Sequence, residues 1–294
     1  MALSDSSRPR NSRASTTVPV LRPARADVVF RTAHTYERNA NLGAAIPLYE
    51  RALNLAPRVV RYWISLGLAQ ASAGAADAGL LQESFRSLRH AVDLNPFDPI
   101  SNRTLAAIYM QDAERSAEPA ARNERLNKAI AVYQRAARLA PNYPDAYCDL
   151  GRCYFLLGDH QKAASLYEKS LQMNPYYART HMFMGEMHYR LNDLERAFQD
   201  FEMAYRLDKG NVETMRNLGF LLTRMGRKKE AIGLYSHALE HAPGDLVSLR
   251  RLSALYFSLG DSVAGHTYAR RAYDGTPTAE KGTYEKFAAD LQNQ

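Results

Sequence analysis

The sequence contains eight histidines, and histidine is the side chain that most often binds metals or transfers protons near neutral pH. Two pairs have helical spacing: His181 and His188 are spaced i, i+7, and His237 and His241 are spaced i, i+4. Neither pair has the glutamate arrangement of a metalloprotease helix. Because two histidines alone seldom hold a metal, the sequence predicts no metal site.

The chain lacks the other common sequence patterns of catalytic and cofactor sites. The sequence has no phosphate-cradling glycine run, nucleophile elbow or dinucleotide fingerprint. The only cysteines, Cys148 and Cys153, would point about 140° apart on a helix, which favours neither a disulfide nor a metal clip. We therefore expect no catalytic residue, no cofactor and no enzymatic activity.

The first segment, Met1 to Arg25, is basic and contains three prolines, Pro9, Pro19 and Pro23. Five arginines and one aspartate give it +4 of the net charge of +7. We expect a disordered basic tail at 1–25, without the apolar stretch of a secretory signal. The remainder is only mildly basic, so no nucleic-acid surface is predicted. No apolar run reaches the roughly 18 residues of a membrane span, which favours a cytoplasmic protein, with membrane association through a partner as the alternative.

The helices that would position any site can be predicted from an internal sequence repeat of 34 residues. Pro141, Pro175, Pro243 and Pro277 lie at multiples of 34 residues, with Lys209 in the vacant place, and helix-pair repeats have this length. Small residues recur near the middle of each first helix and on each second helix; they are Gly151, Gly185, Gly219 and Ser253, then Ala163, Ala197, Ala231 and Gly265. Small residues let two antiparallel helices approach closely.

The turns and the upstream units extend the pattern. Tight turns between paired helices are predicted at Gly158-Asp159, Asn192-Asp193, Gly226-Arg227 and Gly260-Asp261. The second and third units exceed 34 residues, and the additional residues either lengthen the flanking helices or form a projecting turn on one edge of the array; of the two we expect longer helices. The predicted repeats are 26–59, 60–98, 99–143, 144–177, 178–211, 212–245 and 246–277, followed by a capping helix at 278–294 that covers the last repeat.

These residues and spacings resemble the tetratricopeptide repeat family over Ala26 to Pro277. The resemblance implies an all-α fold: a right-handed superhelical solenoid of about seven helix-turn-helix repeats, whose first helices line a concave groove that holds peptides or partner segments. His181 and His188 fall where the family packs aromatic residues, so we interpret them as structural. The lysine and asparagine with which some members grip a chaperone's terminal carboxylate are missing from the corresponding positions.

The resemblance also implies a set of groove positions. In the fourth to seventh repeats these are Arg152, Phe155, Met182, Glu186, Tyr189, Arg216, Phe220, Thr223, Arg250 and Phe257. Arginines and aromatics suit a protein or peptide that offers acidic and apolar side chains, although such residues also fill cores. The sequence therefore predicts a scaffold or adaptor that binds a partner in its groove.

A narrower resemblance is to the repeat-bearing tails of bacterial O-antigen ligase or polymerase-like membrane proteins. It is carried by Ala26-Asp27-Val28, Tyr62-Trp63, Leu94-Asn95-Pro96 and the two long units. This resemblance implies an alternative function as an accessory or detached module of cell-surface polysaccharide assembly.

Overall fold

The computed structural model describes residues 21–74 and 77–276 of the chain. Within those ranges the protein is all-α, with fourteen helices and no strand. The helices are α1 (Leu21–Arg38), α2 (Leu42–Leu55), α3 (Val60–Ala73), α4 (Ala78–Leu94), α5 (Pro99–Arg115), α6 (Pro119–Leu139), α7 (Pro144–Leu156), α8 (His160–Met173), α9 (Ala178–Arg190), α10 (Leu194–Leu207), α11 (Val212–Arg224), α12 (Lys228–His241), α13 (Leu246–Ser258) and α14 (Ser262–Gly275).

Consecutive helices pair, and each of the seven predicted repeat ranges contains one pair. The one departure is α1, which begins before the first predicted range. Helix α1 begins at Leu21 and so includes residues 21–25, which the sequence analysis assigned to the tail. Pro23 is compatible with this earlier start, because the first turn of a helix has N–H groups without intrahelical acceptors. Residues 1–20 of the predicted tail and the predicted capping helix at 278–294 lie outside the described residues.

The chain divides into two compact units, Met1–Leu139 and Ala140–Gln294. The described part of the first unit holds the helix pairs α1 to α6, and that of the second unit holds α7 to α14.

Side-chain caps fix where many of the helices begin. In the second unit the Asp159 carboxylate accepts from the Lys162 N–H at 3.1 Å, and the Asp245 carboxylate accepts from the Ser248 N–H at 3.0 Å. Such a cap satisfies a backbone donor that has no partner within the helix, and it stabilises the helix start by about 1 kcal/mol. The Asp245 carboxylate is also contacted by Arg216, one of the predicted groove residues.

The tight turns have the backbone conformation that the sequence predicts. Gly158, Gly226 and Gly260 have φ of +87°, +77° and +81°, and Asn192 has φ of +60°. Glycine adopts this left-handed conformation without a steric penalty, and asparagine tolerates it better than most residues. The predicted turns are therefore confirmed, and Ala40 adopts the same conformation in the first pair with φ of +56°.

Paired helices cross at their small residues. A Cβ placed on Gly185 would lie 2.7 Å from the Phe201 ring, and one on Gly151 would lie 2.6 Å from the Tyr167 ring. Each glycine thus provides the space for a large aromatic residue of the second helix. The last pair uses a hydrogen bond as well, since the buried Ser253 hydroxyl donates to the Gly265 carbonyl at 3.0 Å.

The third pair is built from longer helices, as the sequence predicts. Helices α5 and α6 have 17 and 21 residues, whereas helices in the second unit have 13 or 14. The additional turns are joined by an ion pair between Asp112 and Arg125 at 2.6 Å. Arg125 also donates to the Ser116 hydroxyl at 2.9 Å, next to the short connection between the two helices.

Candidate partner-binding surface

All ten predicted groove residues lie in the second unit, on the first helices of its pairs, α7, α9, α11 and α13. They differ in accessibility. Phe155 and Met182 are only 5% and 4% exposed, so they belong to the core and offer little surface to a partner. The other eight are partly buried. Their roles therefore depend on which contacts they already make within the chain.

Arg152 and Glu186 bind each other across neighbouring repeats. The Arg152 Nη1 donates to the Glu186 Oε2 at 2.5 Å, and the two side chains are 14% and 22% exposed. The Arg152 guanidinium also lies 5.0 Å from the centre of the Phe183 ring. A partly buried pair of this kind is strongly coupled, because removal of one partner leaves the other charge uncompensated. These two residues hold α7 against α9.

Arg216 and Arg250 are also used within the chain. The Arg216 Nη1 donates to the Asp245 carboxylate at 3.0 Å, and Asp245 is the residue that caps α13. The Arg250 Nη2 lies 3.4 Å from the Thr276 hydroxyl oxygen at the end of the last described helix pair. The Arg216 contact thus joins α11 to the start of α13, and the Arg250 contact joins α13 to the end of α14.

Thr223 and Phe257 likewise make local contacts. The Thr223 hydroxyl donates to the Gly219 carbonyl at 2.8 Å, within its own helix. Phe257 packs against Gly265 and meets the His266 ring edge-on, with centroids 5.0 Å apart. Of the predicted set, Tyr189 and Phe220 are therefore the aromatic residues that remain to define an accessible surface.

Tyr189 and Phe220 form the centre of a continuous surface feature. Their rings meet edge to face with centroids 5.5 Å apart. The Arg224 guanidinium lies 5.4 Å from the centre of the Tyr189 ring, and its Nη1 donates to the Tyr189 hydroxyl at 2.8 Å. The Arg251 guanidinium lies 4.8 Å from the centre of the Phe220 ring. Such cation–π contacts are favourable and restrict the arginine side chain.

A third arginine extends this feature towards α7. The Arg190 guanidinium lies 6.0 Å from the centre of the Phe155 ring and 3.9 Å from the Glu186 carboxylate. Arg190, Arg224 and Arg251 are all exposed. We call Tyr189, Phe220, Arg190, Arg224 and Arg251 together the arginine–aromatic strip.

The sequence analysis missed the three arginines of the strip, although a signal was present. Arg190, Arg224 and Arg251 each directly follow a predicted groove residue, namely Tyr189, Thr223 and Arg250. The next residue on a helix is rotated by about 100° and borders the same face. A prediction that also took the residue directly after each groove position would have included these three arginines.

The first histidine pair faces a carboxylate in the fifth repeat. The His188 Nδ1 lies 2.6 Å from one oxygen of Asp200, and the His181 Nδ1 lies 3.8 Å from the other. His181 also lies 3.0 Å from the Pro175 carbonyl oxygen through its Nε2. The Asp200 carboxylate, followed by this carbonyl, raises the pKa of His181 above its ordinary value, against the opposing effect of burial. The arrangement links α9 to α10.

Both cysteines are buried thiols. Cys148 and Cys153 form no disulfide with each other, and burial raises the pKa of the Cys148 thiol to about 12. A thiol of this kind is a poor nucleophile, because the thiolate is the reactive form. Among residues 21–74 and 77–276, no three histidine, cysteine, aspartate or glutamate side chains converge as metal ligands would. In the same ranges no helix has the length and apolarity needed to span a membrane.

Comparison with known proteins identifies the repeats. Two family models, both described as tetratricopeptide repeat, match residues 30–99 and 104–175. No curated protein matches the chain significantly. The chain is a tetratricopeptide repeat protein, and this fold generally serves as a non-catalytic scaffold for protein interactions. The narrower likeness to O-antigen ligase tails stays a prediction.

Solved structures support the all-α repeat fold. The chain is similar to the structure of the APC/C hetero-tetramer Cut9–Hcn1, with 16% identity and a TM-score of 0.65 over 93% of this chain and 55% of the other. It is similar to a tetratricopeptide repeat protein from Parabacteroides merdae, with 14% identity and a TM-score of 0.62 over 92% and 99% of the two chains. PilF from Pseudomonas aeruginosa has 18% identity and a TM-score of 0.55 over 79% and 97%.

Proposed function

We propose that this protein is a non-catalytic adaptor that binds a partner protein or peptide along the arginine–aromatic strip. The observation that carries the proposal is the arrangement of Arg224 and Arg251. Both are exposed, and both are positioned by aromatic rings. A guanidinium stacked on a ring keeps N–H groups at its edge, and these can donate to a carboxylate in bidentate geometry.

The strip has the composition of a recognition surface. Tyrosine, phenylalanine and arginine provide large contact areas and are enriched where protein interfaces gain most of their energy. Tyr189 and Phe220 are only partly buried, so apolar side chains of a partner can pack against them. The partner segment that fits this surface carries acidic residues next to apolar ones.

The contacts also determine which variants can test the proposal. Replacing Arg216 by glutamate would place a second carboxylate next to Asp245 and weaken the start of α13, so any lost binding would have two explanations. Arg224 and Arg251 are exposed, and their replacement leaves the core unchanged. The double variant Arg224→Glu/Arg251→Glu is therefore the better test.

The experiment compares affinity purification of the full chain with that of this double variant, with quantitative mass spectrometry of the captured proteins. The matched control is Arg86→Glu/Arg89→Glu, which makes the same change of charge at exposed positions of α4. We expect the strip variant to lose the specifically captured proteins and the control to keep them. Equal capture by the strip variant and the wild type would reject the strip as the binding surface.

A further inference from the structure

The second histidine pair has the geometry of a chelate. His237 and His241 lie in the last two turns of α12, and their Nε2 atoms face each other at 3.3 Å. A tetrahedral zinc ion with Zn–N bonds of roughly 2.0–2.1 Å places two of its nitrogen ligands about 3.3 Å apart. The spacing of the two imidazoles thus matches the bite of such an ion without a change of the helix backbone.

A tyrosine from the preceding repeat orients one of the two rings. The Tyr205 hydroxyl of α10 lies 2.9 Å from the Nδ1 of His237. When the Nδ1–H donates to this hydroxyl, the lone pair of His237 is on Nε2, which is the atom that faces His241. A hydrogen bond from the remote ring nitrogen is a regular feature of metal-binding histidines, since it fixes both the tautomer and the ring orientation.

The surroundings admit an ion. The His237 side chain is 30% exposed, His241 is exposed, and the Glu240 carboxylate lies 3.9 Å from the His237 Nε2. Its negative charge favours a cation nearby. On the other side, the His241 ring lies near Gly210, in the turn between α10 and α11. Water can therefore occupy the remaining positions around an ion held by the two rings.

We propose that His237 and His241 bind one divalent transition-metal ion, best fitted by Zn²⁺, through their Nε2 atoms, with Tyr205 as a positioning residue. Because two histidines alone seldom hold a metal, the sequence predicts no metal here. The structure adds the facing Nε2 atoms and the hydroxyl that holds one ring, neither of which can be read from the sequence. The proposal is independent of the arginine–aromatic strip.

Isothermal titration calorimetry of the untagged full chain with zinc chloride tests the proposal. We expect one equivalent of Zn²⁺ to bind, and His237→Gln and His241→Gln each to weaken that binding at least tenfold. Tyr205→Phe should weaken it by a smaller factor, because it removes only the orienting hydrogen bond. The matched control is His34→Gln, which changes an exposed histidine of α1 and should leave the affinity unchanged. Far-UV circular dichroism establishes that each variant is folded.

Cobalt provides a second measurement of the same site. Replacement of Zn²⁺ by Co²⁺ should give a visible absorption band that is lost in the double variant His237→Gln/His241→Gln. Zinc binding of unchanged affinity in the folded double variant would overturn the proposal. Failure of the wild type to bind Zn²⁺ at millimolar concentration would overturn it as well.

Discussion

The glycine at a helix crossing gives the sharpest test of the packing argument. A Cβ on Gly151 would lie 2.6 and 2.8 Å from two ring atoms of Tyr167 and 3.3 Å from the Ala163 carbonyl oxygen. Tyr167 is completely buried, and the carbonyl belongs to the backbone of α8. Gly151→Ala therefore forces either the ring or the helix pair to move.

Two opposing effects determine how much Gly151→Ala changes the free energy of unfolding. Alanine in place of a helical glycine stabilises a helix by about 0.5–1 kcal/mol. Overpacking a well-packed core costs about 1–3 kcal/mol. Because the ring of Tyr167 is enclosed, we expect the upper part of that range, and hence a net loss of about 1–2 kcal/mol in the free energy of unfolding.

Gly233 provides the matched control. It lies within α12, it is exposed, and a Cβ there would meet nothing within 4 Å. Gly233→Ala should therefore show the helix-propensity gain alone, about 0.5–1 kcal/mol. Urea denaturation followed by circular dichroism at 222 nm gives both values. The reasoning is refuted if Gly151→Ala is as stable as Gly233→Ala, since the crossing would then have room for a methyl group.

Three further changes have defined outcomes. Ala40→Gly should raise the free energy of unfolding by about 1 kcal/mol, measured by urea denaturation, because Ala40 has a positive φ that disfavours side chains. Ser170→Ala should lower it by about 1–3 kcal/mol, since the Ser170 hydroxyl donates to the Pro144 carbonyl at 3.0 Å and lies 2.8 Å from the buried Thr180 hydroxyl, and both bonds would be lost; an unchanged urea midpoint would contradict this. His181→Gln tests the pH dependence of stability. The pKa of His181 is raised in the folded protein, so the protonated imidazole stabilises the fold. This stabilisation is fully present below the unfolded pKa of about 6.5 and is lost as the pH rises through the raised folded pKa. The wild type should exceed the variant in urea midpoint by more at pH 5.5 than at pH 8.5, and an equal difference at both would contradict the interaction with Asp200.

Much of the fold could be predicted from the period and the small residues, because the helices that pack at these residues lie close together in the sequence. Gly151 and Gly185 meet aromatic residues that follow 16 positions later in the same repeat, at Tyr167 and Phe201, so one repeat contains both sides of its own contact. The division into two units was not predictable in this way. No single residue type marks it, and Pro141 next to the boundary resembles Pro175 and Pro243, which lie at junctions within the second unit.

The binding surface was predicted less well, because the residues of a groove face also stabilise the stacking of neighbouring repeats. Arg152 has an acidic residue one period later, Glu186, and the two form an ion pair. Arg224 instead has an aromatic residue 35 positions earlier, Tyr189, in the preceding repeat, and its guanidinium lies over that ring. The residue that an arginine meets in the neighbouring repeat thus determines whether its guanidinium forms an ion pair within the chain or stays accessible to a partner.

Ion pairs between neighbouring repeats reduce the net charge that the groove face presents to a partner. In a repeat array, residues one period apart lie on neighbouring helices of the same face, so an arginine and an acidic residue at that separation can neutralise each other before any partner arrives. Glu186→Gln should therefore release the Arg152 guanidinium and increase the positive charge of the face next to Arg190. If the strip binds acidic segments, this variant should bind the captured partner more tightly, mainly at low salt, where exposed charges are least screened. Because Glu186 also holds α7 against α9, circular dichroism must first establish that the variant is folded; weaker binding by the folded variant would indicate that Glu186 itself contacts the partner.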